Sequence, residues 1–410
     1  MDAGSRPALR PVESVVVPDR EHGQVLVLRD TQGITDAHAT LPPPLVPIVA
    51  RLTGRKTCAE IAQEVSRELS SPVPTEVVVR LAAELERGLF LEGPTFEAAR
   101  TRVARAFSQA SLRPATHAGS AYHGEEARLR RYIDEDCLGK ASSPACPDGT
   151  LVALVAPHID PWRGAVGYGH AYGALAAAVP GEADTFVLLG TSHAPMDAPF
   201  ALCRKAFDTP LGAVAADLDA IDSLAARAQF DPFADEFNHK REHSLEFQVV
   251  YLRHVLGGRP LRIVPVLAGL GAHQARRRDP ARDAQVTRFL RGVRALFDSR
   301  PGRVVMVAGA DLAHVGPRFG DARPLDDAQR RALERTDRVS LEHATSGDAA
   351  GFWTHVAGDL DERRVCGLAP IWSLLHTLPS GATGALLHYE QTVDGDDGSI
   401  VSHAAVGFYA

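Results

Sequence analysis

The stretch "LVALVAPHIDPWRG" (151–164) passes through six apolar residues and then sets an imidazole, a carboxylate and a guanidinium close together, as His158, Asp160 and Arg163. The pattern recurs. "TFVLLG" (185–190) leads into Thr191, Ser192 and His193, and "RVVMVAG" (303–309) leads into Asp311 and His314. A fourth apolar run, "LRIVPVLAG" (261–269), contains Pro265. Runs of Val, Leu and Ile without alternation suit strands covered on both faces, and in open α/β sheets ligands bind beyond the carboxyl ends of such strands. Titratable residues after three separate runs therefore point to a site along one sheet edge.

The residue types suit a metal ion. Neutral imidazoles from two loops can converge on a divalent cation, and a third protein ligand leaves a position for water or substrate. Cys366 in "RRVCGLAPIWSLL" is the candidate third ligand. It precedes a helix whose face carries Ile371, Leu374 and Leu375, and a helix N-terminus stabilises a thiolate. His314 and Asp311 then read as the acid/base and orienting groups. Glu242 and His243 open an amphipathic helix in "REHSLEFQVVYL". Arg163 cannot ligate. It is expected to hold an anionic group or Asp160, or to fix its loop through a salt bridge.

The elements that must position these groups occupy a chain of 410 residues, too long for one ordinary domain. A composition of 45% hydrophobic and 23% charged residues is that of a globular protein, and a net charge of −7 gives no reason to expect a nucleic-acid surface. No apolar run approaches the roughly 20 residues of a membrane span, and "MDAGSRPALRPVESVVV" lacks the core of a secretory signal. Five cysteines (Cys58, Cys137, Cys146, Cys203, Cys366) without CxxC spacing argue against disulfides or structural zinc. A reduced cytoplasmic location is expected, with most lone cysteines serving as small buried hydrophobes.

Residues 1–14 are expected to be a flexible start, 15–95 a small module, 96–114 a linker and 115–410 the α/β domain. In the module, "GQVLVLRDTQG" (23–33) reads as a strand and "LVPIVARLTG" (45–54) as a short helix. "TCAEIAQEVSREL" opens with Thr57 and Glu60 in capping-box spacing, and Ile61, Ala62, Val65 and Leu69 trace one helical face. A further helix carries Val78, Leu81, Ala82 and Leu85, followed by a strand at "LFLEG". That order suggests a winged-helix α+β domain. Residues 1–110 hold 13 Lys or Arg against 14 Asp or Glu, which argues against DNA because phosphate contacts need cations. The segment "GQVLVL" is expected to offer a strand edge for peptide addition.

Two resemblances sharpen these expectations. "RKTCAEIAQEV…VVVRLAAELERGLFLE" resembles the PqqD-like peptide-recognition modules. "AGSAYHGEEARLRRYIDE", "APHID", "GTSHAP", "EHSLEFQVVYL", "GADLAHVGPRFG", "VCGLAPI" and "VSHAAVGFYA" resemble, in order and spacing, the Memo-like proteins, whose bacterial members are called AmmeMemoRadiSam system protein B. That family is similar in fold to class III extradiol dioxygenases of the LigB type, which implies a mixed central sheet flanked by helices.

The resemblance implies His158, His193 and Cys366 as metal ligands, His314 as acid/base and Asp311 as the carboxylate of the motif. Asp160, Arg163, Glu242, His243 and His403 are assigned to the surroundings of the metal and to substrate. Leu312 stands where the family motif has an aromatic residue and His403 where it has Tyr, which bears on the shape of the pocket.

Two functional readings follow. The first is a metal-dependent oxidoreductase with Fe(II) or Cu, or alternatively Zn, acting on a small molecule or peptide. Cysteine in place of a carboxylate favours a redox metal and weakens the case for ordinary ring cleavage. The second is an accessory protein that binds a metal or peptide and docks a partner such as a radical-SAM enzyme through its N-terminal module. A zinc hydrolase is a weaker third reading, since HExxH and GxSxG are absent.

Overall fold

The structure, a computed structural model, describes residues 1–142 and 147–410; Cys146 lies outside the described residues. It divides into two compact units, Met1–Ala110 and Ser111–Ala410. Among the described residues no helix is long and apolar enough to cross a membrane.

The N-terminal unit begins with β1 (Glu13–Asp19), β2 (Gly23–Arg29) and β3 (His38–Leu41), an antiparallel sheet with β2 in the middle. Helices α1 (Val46–Val49), α2 (Cys58–Glu68), α3 (Thr75–Arg87) and α4 (Pro94–Gln109) follow. The capping box at Thr57 and Glu60 is formed, and each side chain accepts the other residue's N–H. Ile61, Ala62 and Val65 of α2 pack with Val78, Leu81, Ala82 and Leu85 of α3 in one core.

The structure departs from the sequence pattern at five points in this unit. Leu69 is the C-cap of α2 and is exposed. "GQVLVL" is bonded on both sides by β1 and β3, so it offers no edge; the free edges belong to β1 and β3. "LFLEG" makes a single bridge, Leu91 to Leu9. Leu89 (φ 63°) and Gly93 (φ 145°) turn the chain at either end of it and leave no length for a strand. Residues 1–14 are anchored, because Arg10 is buried and bonds Asp30 at 3.0 Å. Most of the expected linker is the helix α4.

The C-terminal unit opens with β4 (Leu112–Arg113), α5 (Glu126–Tyr132), β5 (Leu151–Ala156), α6 (Pro161–Ala178) and β6 (Thr185–Thr191). Next come β7 (Phe200–Leu202), β8 (Ala206–Phe207), β9 (Ala215–Ala216), α7 (Leu218–Ala225), α8 (His243–Leu256) and β10 (Arg262–Ala268). Then follow α9 (Gly271–Ala275), α10 (Ala284–Ser299), β11 (Val304–Gly309), β12 (Asp311–Val315) and α11 (Asp327–Thr345). The unit closes with α12 (Ala349–Gly358), α13 (Leu368–Thr377), β13 (Thr383–Val393) and β14 (Ile400–Tyr409).

Its main sheet is mixed and nine-stranded, with the order β12-β14-β5-β11-β6-β10-β7, β13 on β14 and β9 on β10. The middle strands β5, β11, β6 and β10 are parallel, and β14 and β7 flank them antiparallel. The apolar runs are explained by two helical layers. In β6, Val187 and Leu189 join a core with α7, α10, α12 and α13, while Phe186 and Leu188 join the opposite core with α5, α6 and α8. Successive side chains point to opposite faces, and both faces are dry.

The helix that will carry Glu242 and His243 is fixed by a buried ion pair. Arg113 Nη1 bonds the carboxylate of Glu246 on α8, and both side chains are almost wholly buried. Arg113 also donates to the carbonyls of His239 (3.0 Å) and Glu242 (2.8 Å). Glu246 accepts from His117 N–H at 2.9 Å and from the Tyr122 hydroxyl. Burial alone would push the Glu246 carboxyl up, but Arg113 and His117 hold it well below the usual range.

Removing one partner strands a buried charge. Glu246→Gln should cost about 3–5 kcal/mol of stability, read as a lowered denaturant midpoint with an unchanged slope. Because the folded carboxyl is depressed, its contribution is complete above the unfolded-state pKa and fades as pH falls toward the folded value. The gap between wild type and Glu246→Gln should therefore narrow on acidification.

Candidate metal centre

His158 lies just beyond β5, before α6, which is capped by the Asp160 carboxylate accepting Arg163 N–H at 3.1 Å. The ring is buried. His158 N–H donates to Asp311 Oδ1 at 2.9 Å, and Nδ1 lies 2.9 Å from the carbonyl of Gly309. A carbonyl only accepts, so Nδ1 carries the proton and Nε2 is left for the site. Nε2 is 3.2 Å from Cys366 Sγ.

His193 follows β6 and is held in the same way. Its N–H donates to Glu242 Oε2 at 2.9 Å, and its Nδ1 lies 3.0 Å from Glu242 Oε1. Glu242 also caps α8 by accepting Ser244 N–H at 2.9 Å. Imidazoles that ligate metals usually donate their second nitrogen to a carbonyl or carboxylate, and both His158 and His193 do.

The first turn of α8 reaches the strand tips because glycines let it. A Cβ on Gly309 would stand 2.2 Å from the Ser244 carbonyl, and one on Gly190 would stand 2.6 Å from the Leu245 side chain. The approach brings in His243, whose ring stacks on His193 at 4.6 Å and meets His158 edge-on at 5.3 Å. One nitrogen each from His158, His193 and His243 lies within 4.8 Å of the others, close enough to hold a metal ion. The sequence pattern placed His243 around the metal and not among its ligands. Cys366 is stitched to β12 and β6: Gly367 N–H donates to the Asp311 carbonyl at 3.0 Å, and the Cys366 carbonyl accepts from Thr191 Oγ1 at 2.9 Å.

The charges are coupled. Burial would push the Cys366 thiol up, but His158 and His314 draw it down to about 5. Burial would lower His158, but the Cys366 thiolate and Asp311 raise it to about 9. Burial likewise opposes charge on His193, which Glu242 and Cys366 raise well above the imidazole range, while Glu242 is held well below its own. Burial and the neighbouring His193 keep His243 neutral.

The remaining expected residues take definite places. Asp311 and His314 lie on a strand, β12, and not on a loop. Asp311 is buried and serves His158, whose Nε2 is 3.8 Å from its Oδ2. His314 is half-buried, with Nδ1 3.2 Å from the Leu312 carbonyl and its ring edge-on to Phe319. Arg163 bonds Asp160 through Nε and approaches Asp394 at 3.7 Å, which is the loop-fixing role. His403 is buried on β14 opposite Asp311, and its Nε2 lies 3.0 Å from Thr392 Oγ1. Cys58, Cys137 and Cys203 are free and buried.

The fold and this edge define an α/β protein whose parallel strand tips gather three imidazoles and a cysteine. Residues 113–407 match the family model described as Memo-like protein, and the chain belongs to that family. It is similar to a MEMO1 family protein of Aquifex aeolicus, 24% identical over 390 residues, covering 95% of this chain and 97% of the relative. That likeness extends into the N-terminal unit. A MEMO1 family protein of Thermus thermophilus is 29% identical over 334 residues, covering 81% of this chain and 93% of the relative. An uncharacterized protein of Escherichia coli K12 of known structure gives a TM-score of 0.39 at 15% identity, covering 63% of this chain and 99% of that one, too distant to carry an argument.

In the metal-free chain Cys366 should react with iodoacetamide at a rate that levels off above about pH 6, where a thiol titrating near 5 is already thiolate. An ordinary thiol would continue to gain through pH 9. In His158→Ala the plateau should shift to higher pH. A rate that climbs to pH 9 in the unmodified chain would show that the thiolate–imidazolium pair does not form.

Proposed function

We propose that the Memo-like unit is a non-haem metal-dependent oxidoreductase that binds Fe(II) or Cu through His158, His193 and Cys366 and acts on a small molecule or peptide. One observation carries the reading: both histidines have Nδ1 tied back to protein acceptors, and Cys366 Sγ lies 3.2 Å from His158 Nε2. Two imidazoles and a soft thiolate suit a redox metal better than a hard cation, and Zn is the alternative. When bound, the ion would supply electron transfer and polarise a substrate oxygen.

The chain's own groups do the rest. Glu242 and the Gly309 carbonyl fix ring orientation, and Asp311 holds the backbone of His158. His314, its Nδ1 engaged by the Leu312 carbonyl, keeps Nε2 to take or give a proton.

Protein purified anaerobically should carry about one metal ion per chain, identified by elemental analysis and by the spectrum of the bound ion. His158→Ala, His193→Ala and Cys366→Ala should lose it while remaining folded. Glu242→Gln should weaken binding about 10–100-fold, and His314→Gln should keep the ion but change the pH dependence of oxygen consumption. Full occupancy in the two histidine variants would remove the assignment.

The N-terminal unit supports an additional role, as a PqqD-like module that recognises a peptide or a protein such as a radical-SAM enzyme. What favours it is the open edge of β1, where Val16 is 58% exposed, together with the nearly balanced charge of residues 1–110. An open edge accepts a peptide as an added strand. A fragment of residues 1–110 should bind candidate partner peptides and ignore duplex DNA at low salt. Tight, salt-sensitive DNA binding would overturn this role.

A further inference from the structure

The connection from β10 to α10 carries "AHQARRRDPARDA" (272–284), a run the metal centre does not use. His273, Arg277, Arg278, Asp279, Arg282 and Asp283 line a cavity of about 700 Å³. That volume lies in the range of small-molecule sites, about 300–1,000 Å³.

Its two carboxylates are already engaged. Asp279 accepts Ala281 N–H at 2.9 Å. Asp283 caps α10 by accepting Gln285 N–H at 2.8 Å, and it also holds His273 Nε2 at 3.0 Å. The arginines are not. Among the described residues no ion pair or side-chain hydrogen bond engages the guanidinium groups of Arg277, Arg278 or Arg282.

Arg277 also holds a left-handed backbone (φ 49°), which an L-residue adopts at a cost. Three uncommitted cations around one cavity, in a chain whose net charge is −7, call for an anion. Guanidinium forks match phosphate oxygens bidentately, and three of them offer more donors than the two oxygens of a single carboxylate can use.

We propose that this cavity binds a phosphate-bearing small molecule through Arg277, Arg278 and Arg282. The site is separate in residues from the metal centre, although both follow carboxyl ends of the parallel strands: His158 follows β5, His193 follows β6, and this segment follows β10. The proposal does not depend on the oxidoreductase reading.

The test is calorimetric titration of the full chain with inorganic phosphate and with pyrophosphate at low ionic strength. Saturable binding that weakens with added salt is expected. Arg277→Ala/Arg278→Ala/Arg282→Ala should lower the affinity by at least about tenfold without moving the melting temperature, since these side chains are exposed. His193→Ala, which disables the metal centre, should bind as the unmodified chain does. No saturable binding, equal binding by the triple variant, or loss of binding in His193→Ala would each overturn the proposal; the last would place the phosphate on the metal centre.

Discussion

The Glu242 carboxylate is the tie on which the candidate metal centre depends. With two oxygens it caps the first turn of α8, bonds the backbone N–H of His193 and fixes that ring by Nδ1. A helix start, a strand tip and an imidazole thus share one acceptor. The carboxylate is buried, so each of these donors offsets the cost of keeping its charge out of water. Its backbone is gripped in turn: the Glu242 carbonyl accepts from Arg113, whose guanidinium also pairs with Glu246 one turn along the helix. The tie closes only because Gly190 and Gly309 present no Cβ where α8 meets the sheet.

Much of this was legible in the sequence, for physical reasons that differ by element. Strands β5, β6, β10 and β11 stood out because helical layers cover both faces and demand unbroken apolar runs. The Thr57 capping box and the start of α8 were readable because caps are local. β12 was hidden, since Asp311 and His314 look like loop residues until β14 pairs with them. The partnership of Arg113 and Glu246 spans 133 positions and leaves no local trace. His243 was read as a neighbour of the metal because its place among the imidazoles is set by the glycines beneath α8 and not by its own surroundings in the chain. In the N-terminal unit the run "GQVLVL" was rightly a strand, but periodicity cannot say whether a strand is central or at an edge.

The metal-free charges have their own logic. A thiol beside an imidazole gives its proton to it, so Cys366 and His158 satisfy each other as an ion pair in a buried place where neither would be charged alone. A cation entering there would displace protons from imidazoles and would meet a thiolate already formed. On the proposed reading, metal binding would release protons.

The position of β14 in the sheet bears on how the protein is made. This strand lies between β12 and β5, with β13 also bonded to it, so residues 400–409 complete the sheet from within. While the ribosome is still translating residue 370, every side chain of the candidate site has been synthesised, but β12 lacks its strand partner β14. Pairings spanning some 250 positions, such as Val155 with Val406, close only after β14 has been made. Truncation anywhere before β14 leaves β12 and β5 without the strand that joins them, and so an open sheet edge.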